Sequence, residues 1–333
     1  MSGLEKGVFT LSLDFELIWG TLDLFGPDRF RKACERERKE IIDRLLNLLA
    51  EFKLPATWCI LGHLFLEGCS AAGDQKHPEI VRPTHSWCNQ DWFSNDPGGD
   101  ETTNPIFFGR SLIRKIQNCR VPQEIGSHSF SHVIFGDRGC SRAAAESEIA
   151  ACVQAARDMG IELGSFAFPR NEVGHLDVLR EYGFIRYRGP EPTWYQKDGW
   201  PDLLRRLAHL ADVLFVTTPL VFLPERDGNG LWNIAGSMVY FPMHGVRRFI
   251  PVSLRVRRAI KGLEAAARQR RIFHLWFHPT NLANRTDDMF HGLRTILQHA
   301  QRLQESDKLV FASMGQLASL ATRPRGQCLP TVV

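Results

Sequence analysis

The sequence predicts an α/β fold in which a parallel sheet closes into a (β/α) barrel. Strand-like and helix-like segments alternate about seven times along the 333 residues, and such alternation is typical of parallel strands flanked by helices. No Pro/Gly/Ser-rich linker or internal repeat interrupts the alternation, so we expect one domain over residues 1–333. A barrel is favoured over two open sheets because closure removes the sheet edges.

The elements follow from the periodicity of the apolar residues. Residues 7–15 and 56–62 are apolar and rich in β-branched side chains, which favours strands, and residues 28–52 between them have apolar positions at helical spacing. On the same grounds, further helices are expected at 104–118, 141–160, 173–184, 253–269 and 286–306. Further strands are expected at 123–129, 165–169, 272–278 and 308–313, and the segment 185–189 follows a helix.

Two details sharpen these assignments. Ser141 is the expected N-cap of the helix at 141–160, and Gly160 is its expected C′ residue.

Residues 63–103 are irregular and rich in Gly, Pro, Asp and Asn. We interpret them as an insertion near the functional site, because long ordered loops are usually functional.

Composition excludes several classes of protein. The formal net charge of +4 is too balanced to predict binding to nucleic acid or an anionic membrane. The longest apolar-rich stretch, 213–223, is far short of the ~20 residues that a membrane span needs. Eight scattered cysteines and no apolar export segment predict a cytoplasmic protein. Most histidines, His63 and His77 among them, are interpreted as structural.

Polar side chains stand where the expected strands end, which is where the active sites of such barrels lie. They are Asp14, Glu16, His128, His132, Arg170 and His278. Two histidines and a carboxylate suit a zinc-type site with open positions. A second carboxylate would take a proton from water, and a further histidine would give one to a leaving group. The H-x-x-x-H spacing is weak by itself, and Ser129 at its second position excludes the metalloprotease helix.

Four segments resemble the motifs of the polysaccharide deacetylases with a NodB-homology domain, carbohydrate esterase family 4. They are LSLDFE (11–16), GSHSFSH (126–132), FAFPRN (166–171) and LWFHP (275–279), and the resemblance covers about residues 7–320. It implies a distorted (β/α)7 barrel and a zinc-dependent hydrolase that removes the N-acetyl group from an amino sugar.

The resemblance also implies roles for the residues. Glu16, His128 and His132 correspond to the metal ligands, Asp14 to the catalytic base and His278 to the general acid. The first motif has Asp-x-Glu where two adjacent Asp residues are usual. Because residues two apart in a strand share a face, the sequence does not decide which acid is the ligand.

The third motif departs from the family pattern in its arginine. Ala167 stands where that arginine is expected, and Arg170 is the candidate to replace it. Trp92 and Trp194, flanked by polar loops, are candidates for stacking against a sugar.

Two other functions stay open. The first is hydrolysis of another non-peptide C–N bond, in a cyclic amide or an imide. The second is carbohydrate binding without catalysis, which the presence of every candidate catalytic residue disfavours. The absence of an export segment favours an intracellular N-acetylated saccharide or glycan precursor. Neither the sugar nor the oligomeric state can be predicted.

Overall fold

One ten-stranded sheet organises the chain. The computed structural model describes residues 4–72, 75–191, 204 and 216–317. The strands are β1 (Gly7–Phe15), β2 (Thr57–Ile60), β3 (Gly68–Cys69), β4 (Ala71–Ala72), β5 (Gln75–Lys76), β6 (Gly99–Asp100), β7 (Glu124–Ser127), β8 (Ser165–Ala167), β9 (Arg186–Arg188), β10 (Glu225–Arg226), β11 (Trp232–Asn233), β12 (Met238–Val239), β13 (Ile272–Phe277) and β14 (Leu309–Phe311).

Helices surround this sheet. They are α1 (Trp19–Phe25), α2 (Arg31–Arg36), α3 (Ile42–Glu51), α4 (Arg110–Gln117), α5 (Arg142–Arg157), α6 (Leu176–Glu181), α7 (Val252–Gln269) and α8 (Thr286–Glu305). A π-turn at Glu37–Ile41 joins α2 to α3. Short 3₁₀ turns lie at Gly62–Phe65, Pro169–Asn171, Gly245–Phe249 and Pro279–Leu282. No helix in the described ranges is long and apolar enough to cross a membrane.

The sheet order is β10-β11-β9-β8-β7-β2-β1-β13-β12, with β14 paired to the start of β1. Only β10 and β11 pair antiparallel within it. The carboxyl ends of the other strands therefore face one edge of the sheet.

The central strand β1 shows how the layers are built. All nine of its residues are buried. Phe9, Leu11 and Leu13 pack into the main hydrophobic core, while Ser12 and Asp14 on the alternate face point to the barrel interior. A parallel strand is covered on both faces in this way, which explains its nearly continuous apolar sequence.

The sheet curls strongly. Arg188 in β9 lies four strands away from Asp14 in β1, a distance of about 19 Å in a flat sheet. Its guanidinium nevertheless lies 2.6 Å from that carboxylate, so the two strands face each other across the interior. The expected α/β barrel class is confirmed. Full closure is not observed in the described part of the chain, because β10 and β12, each two residues long, end the strand order unpaired with each other.

Most expected elements are present with shifted ends. The helix predicted at 28–52 is interrupted by the π-turn, and the short α1 before it was not predicted. Ser141 caps α5 by accepting the N–H of Ala144. Gly160 has a φ of 72° but lies one position beyond the C′ residue, since the C-cap is Asp158.

The described residues of the segment 63–103 form little regular structure. The segment contains two small antiparallel ribbons, β3 with β6 and β4 with β5, joined by turns. These ribbons are too short to be recognised by periodicity.

Candidate active site

Most of the polar side chains predicted to form the active site lie together at the carboxyl edge of the sheet. Asp14 and Glu16 lie at the end of β1, His128 follows β7, and His278 follows β13. Asp14, Glu16 and His128 are buried, whereas the side chain of His278 is 32% exposed. His278 therefore lies on the solvent side of this group.

Glu16, His128 and His132 form a three-ligand group, here called the strand-end site. Glu16 Oε1 lies 2.6 Å from His128 Nε2 and 3.6 Å from His132 Nε2. Burial opposes ionisation of Glu16, but the surrounding imidazoles outweigh it and hold the pKa of this carboxyl well below its ordinary value. One carboxylate and two imidazoles are a donor set typical of catalytic zinc.

The orientation of His128, the first residue of the histidine loop (residues 128–132), fits a metal ligand. Its Nδ1–H donates to the carbonyl oxygen of Ala167 at 2.8 Å, which turns the Nε2 lone pair towards Glu16. His128 Nε2 and Glu16 Oε1 lie 2.6 Å apart, and neither atom forms a well-aligned hydrogen bond within the described residues. Two buried acceptors that face each other are costly unless a cation lies between them. The residues present therefore fit a divalent ion.

Gly20 provides the space that the Glu16 carboxylate occupies. A Cβ at position 20 would lie 1.5 Å from Glu16 Oε2. A larger residue there would displace the carboxylate.

A buried carboxylate under the histidine loop holds its shape. Ser129 and His132 have φ values of 60° and 69°, which non-glycine residues rarely adopt. Glu148 in α5 accepts the N–H groups of Phe130 and Ser131 at 2.9 and 2.8 Å. Burial raises the pKa of Glu148 although these bonds oppose the shift. Sequence reasoning did not identify Glu148, because it looks like one of several acids on a helix.

Arg188 is the cation that pairs with Asp14. Its two terminal nitrogens each lie 2.6 Å from one oxygen of that carboxylate, a bidentate geometry. Arg188 also donates to Ser12 Oγ at 3.1 Å and to Asn171 Oδ1 at 3.2 Å. Burial opposes ionisation of Asp14, but Arg188 outweighs it and lowers the pKa of Asp14 below its ordinary value.

Arg170 is the candidate that the sequence offered to replace the third-motif arginine. It pairs with Asp23 of α1, and its guanidinium lies 4.7 Å from the centre of the Trp87 ring. The sequence feature that could have pointed to Arg188 is a charged residue inside the short strand-like segment 185–189.

His278 lies beside both acids. Its Nε2 is 3.3 Å from Glu16 Oε1 and 3.8 Å from Asp14 Oδ2. Burial opposes its protonation, but the charges of Glu16 and Asp14 outweigh this and raise the pKa of His278 to about 9. Asp14, Glu16 and His278 also form a group whose donor atoms lie within 4.8 Å of one another. The imidazole is therefore positioned to exchange a proton with a substrate held at the strand-end site.

Glu37, at the start of the π-turn, is a further buried acid that the sequence did not reveal. Burial and the charge of Glu16 raise the pKa of Glu37 well above its ordinary value. Its carboxyl oxygens have no well-formed hydrogen bond in the described part of the chain. π-Turns of this kind are frequent at functional sites.

His274 and Trp92 both have structural surroundings. His274 Nε2 lies 2.8 Å from Ser12 Oγ and its Nδ1 lies 3.1 Å from the carbonyl oxygen of Ala235, as expected for a satisfied core histidine. Trp92 donates to the carbonyl and hydroxyl oxygens of Ser131, so it supports the histidine loop. Trp194 lies outside the described residues.

Comparison by sequence identifies no relative: no family model matches the chain, and no curated protein matches it significantly. Solved structures do match along nearly the whole length. A proposed polysaccharide deacetylase from Mycobacterium smegmatis has a TM-score of 0.62 at 14% identity, over 99% of this chain and 97% of that one.

Two further structures are equally similar. A proposed polysaccharide deacetylase from Pseudomonas aeruginosa PAO1 has a TM-score of 0.60 at 12% identity, over 94% of this chain and 90% of that one. The Puue allantoinase has a TM-score of 0.61 at 11% identity, over 96% and 92%. The chain therefore has the NodB-type fold that these structures share. At such identities the likeness establishes the fold, and the chemistry has to be argued from the site.

Proposed function

We propose that the chain is a metal-dependent hydrolase that removes the N-acetyl group from an amino sugar. The observation that carries this proposal is the convergence of three groups at one edge of the sheet: the strand-end site, the Asp14–Arg188 pair and His278. Hydrolysis of an amide needs an activated water, a base for its proton and an acid for the departing amine. Each requirement has one group to meet it, and two of the similar folds are proposed deacetylases.

Glu16, His128 and His132 are the ligands, and zinc is the ion that their mixed nitrogen and oxygen donors suit best. A bound ion would polarise the acetyl carbonyl and acidify a water. The Ala167 carbonyl fixes the tautomer of His128, and Glu148 fixes the backbone of the histidine loop. The chain therefore presents its ligands in a prepared arrangement.

Asp14 is the base. Arg188 keeps it ionised and holds both oxygens in one orientation, two residues from Glu16 on the same face of β1. The arginine also makes Asp14 a weak base. A weak base is sufficient where the water is already acidified.

His278 is the acid that protonates the departing amine. An amine leaves poorly as an anion, so its nitrogen has to receive a proton as the C–N bond breaks. The imidazole is close to both acids, which favour its charged form, and it is the solvent-facing member of the group. Pro279, which follows, cannot donate to a strand ladder and helps to end β13 there.

A second candidate is hydrolysis of a cyclic amide or imide by the same groups. The allantoinase fold resembles this chain as closely as the deacetylase folds do. Ring opening would release no acetate, so the two functions differ in their products.

The substrate is an N-acetylated saccharide or glycan precursor inside the cell. The seven cysteines in the described ranges are all free thiols, which suits the reducing cytoplasm. We also interpret residues 1–333 as a single catalytic domain, because one sheet connects β1 to β14.

The test is a substrate panel. Purified protein, stripped by chelator and reloaded with Zn²⁺, is incubated with N-acetylglucosamine-containing saccharides and with cyclic amides, and acetate, free amine and ring-opened product are measured. We expect zinc-dependent release of acetate and amine in equal amounts. The exposed His291 provides a matched control, since His291→Ala should retain the activity that His128→Ala loses. Ring opening without acetate would select the second candidate, and no turnover of either class by the zinc-loaded protein would contradict the proposal.

A further inference from the structure

A second group of metal-binding side chains lies in the segment 63–103. His63, Cys69, His77 and Asp96 each bring one donor atom to within 4.8 Å of the others. These four residues are called the insertion cluster below. Their histidines were interpreted as structural from the sequence, because the spacing matches no zinc-finger pattern.

The donor atoms of the insertion cluster have the spacing of a tetrahedral site. Asp96 Oδ2 lies 3.4 Å from both Cys69 Sγ and His77 Nε2. His63 Nε2 lies 3.7 Å from Asp96 Oδ2 and 3.5 Å from Cys69 Sγ. Bonds of about 2.0–2.3 Å to a tetrahedral zinc ion place its donors roughly 3.3–3.8 Å apart. All of these distances fall within that range.

The side chains turn their free atoms towards the middle of the cluster. His63 Nδ1–H donates to the carbonyl oxygen of Phe107 at 3.1 Å, and Asp96 Oδ1 accepts the N–H of Gly98 at 2.9 Å. His77 is 6% exposed; its Nδ1 lies 3.3 Å from Glu79 Oε1, and its Nε2 lies 3.4 Å from Asp96 Oδ2 without a well-aligned hydrogen bond. A buried imidazole nitrogen that faces other donor atoms without a well-aligned hydrogen bond is available to bind a cation.

Aromatic rings surround the insertion cluster. The Trp19 ring centroid lies 4.3 Å from that of His63, and the Phe93 ring lies 4.8 Å from that of His77. The Phe130 ring packs against both imidazoles at 5.8 and 5.4 Å. Four protein donors within an apolar shell are the arrangement of a structural metal site.

A plain hydrogen-bonded network explains these contacts less well. In such a network the Cys69 thiol donates to Asp96 at 3.4 Å. His77 Nε2 would then have only its 3.4 Å contact with Asp96 Oδ2 and no well-aligned hydrogen bond, which is unfavourable for a buried polar atom. A cation at the centre satisfies all four donors at once.

We propose that the insertion cluster binds one zinc ion that fastens the segment 63–103 to the barrel. Thiolate, imidazole and carboxylate donors in a tetrahedral set favour Zn²⁺ over Mg²⁺ or Ca²⁺. His63 lies three residues after β2, whereas Cys69, His77 and Asp96 lie at separate points of the insertion. The ion would therefore join stretches of chain that little regular structure holds together.

The same ion would also stabilise the strand-end site, because the chain at His63 is hydrogen-bonded to the histidine loop. The N–H of His63 donates to the carbonyl oxygen of Phe130 at 2.9 Å, and the N–H of Gly62 donates to that of Ser129 at 2.7 Å. Both acceptors belong to the histidine loop. Fixing His63 thus fixes one side of the loop that carries His128 and His132.

The first experiment counts zinc in the full-length chain. Wild type and the double variant His128→Ala/His132→Ala are reloaded with Zn²⁺, freed of loose metal by gel filtration and measured by elemental analysis. We expect two ions per wild-type chain and one in the double variant. Adding Cys69→Ser to the double variant should remove the last ion. A folded double variant that holds no zinc would overturn the proposal.

The second experiment starts from wild-type protein, so its first result does not depend on the folding of a variant. Wild-type protein is loaded with Co²⁺ alone, and its near-ultraviolet spectrum is recorded. Among the candidate metal-binding groups of the described residues, only the insertion cluster contains a cysteine, so a sulfur-to-cobalt charge-transfer band is expected from it. It should persist in Cys119→Ser, whose half-buried thiol contacts the carbonyl of Leu46, and disappear in Cys69→Ser. Absence of the band from cobalt-loaded wild type, or its persistence in Cys69→Ser, would show that the cluster is not a metal site.

Discussion

The strand-end site and the insertion cluster are built from similar residues but differ in their surroundings. The first offers three donors, and His278 beside them is partly exposed. The second offers four donors under the rings of Trp19, Phe93 and Phe130. Three ligands leave a coordination position for water or substrate, whereas four ligands complete a tetrahedron.

The difference also appears in the neighbouring ionisable groups. Asp14 and His278 stand next to the strand-end site without belonging to its three ligands. At the insertion cluster the neighbours are mostly aromatic rings and backbone groups, and the carboxylate of Glu79, which is mostly exposed, lies 3.3 Å from His77 Nδ1. Chemistry needs an open position and groups that move protons, so we place catalysis at the first site and stability at the second.

The largest effect on turnover is expected from His128→Ala. Loss of the ligand empties the strand-end site and removes several kcal/mol of transition-state stabilisation. Since each ~1.4 kcal/mol is a factor of ten, kcat/KM for acetate release should fall by about 10³-fold or more. Zinc content should fall by one ion and leave the insertion cluster filled. Wild-type metal content and activity in this variant would show that the ligand assignment is wrong.

The next-largest effects distinguish the roles of Asp14 and Glu16. Asp14→Asn removes a base and should lower kcat by about 10²–10⁴-fold while the metal stays bound. Glu16→Gln removes a ligand and should lower zinc occupancy. Asp43→Asn, a surface change at a residue paired with Lys115, should alter neither. The reverse pattern for Asp14 and Glu16 would mean that their roles are exchanged.

His278→Ala tests the acid. Its loss should lower the rate of amide hydrolysis by about 10²–10⁴-fold, with zinc still bound as measured by elemental analysis. The loss should be smaller for an activated aryl ester, whose leaving group needs no proton. Equal loss on both substrates, or loss of the metal, would instead make His278 a structural or ligating residue.

The sequence predicts much of the strand-end site and none of the insertion cluster. Residues 7–15 and 272–278 are long, apolar and periodic, so their strands were predictable, and the polar residues at their ends followed from the parallel arrangement. The contact of Arg188 with Asp14 was not predictable. It depends on the curl of the sheet, which no local pattern in the segment 185–189 encodes.

The insertion cluster was missed for a related reason. Its ligands are separated by 5, 7 and 18 intervening residues, and the turns between them, not a regular element, set their geometry. Zinc motifs are recognisable when two ligands share a tight turn. Here each ligand arrives from a different stretch of chain, so only the folded structure brings them together.

Glu148→Gln should have an intermediate effect, because Glu148 shapes the histidine loop without touching the proposed ion. Outer-shell changes of this kind typically cost 10–100-fold in metal affinity or activity. We therefore expect zinc affinity, measured by competition with a chelator, to weaken by about that factor. Excess zinc should restore most of the turnover. Glu146→Gln, at a partly exposed residue of the same helix that pairs with Arg142, is the matched control. Failure of excess zinc to restore activity would point to a role beyond loop positioning.

The smallest effect on turnover is expected from Cys69→Ser. The variant keeps the ligands and proton-transfer groups of the strand-end site, so kcat/KM at a temperature well below unfolding should change by no more than a few-fold. Its stability should suffer more. An ion present at a thousand times its Kd contributes about 4 kcal/mol to folding, which corresponds to roughly 5–10 °C in Tm for a chain of this size. Wild type treated with chelator should show the same fall in Tm, and Cys119→Ser should show none. Added Zn²⁺ should restore the Tm of chelator-treated wild type but should restore that of Cys69→Ser far less. Cys69→Ser could instead lose activity as fully as His128→Ala while keeping its Tm. That result would make the insertion cluster part of the catalytic machinery. It would contradict our assignment of catalysis to the three-ligand site and stability to the four-ligand site.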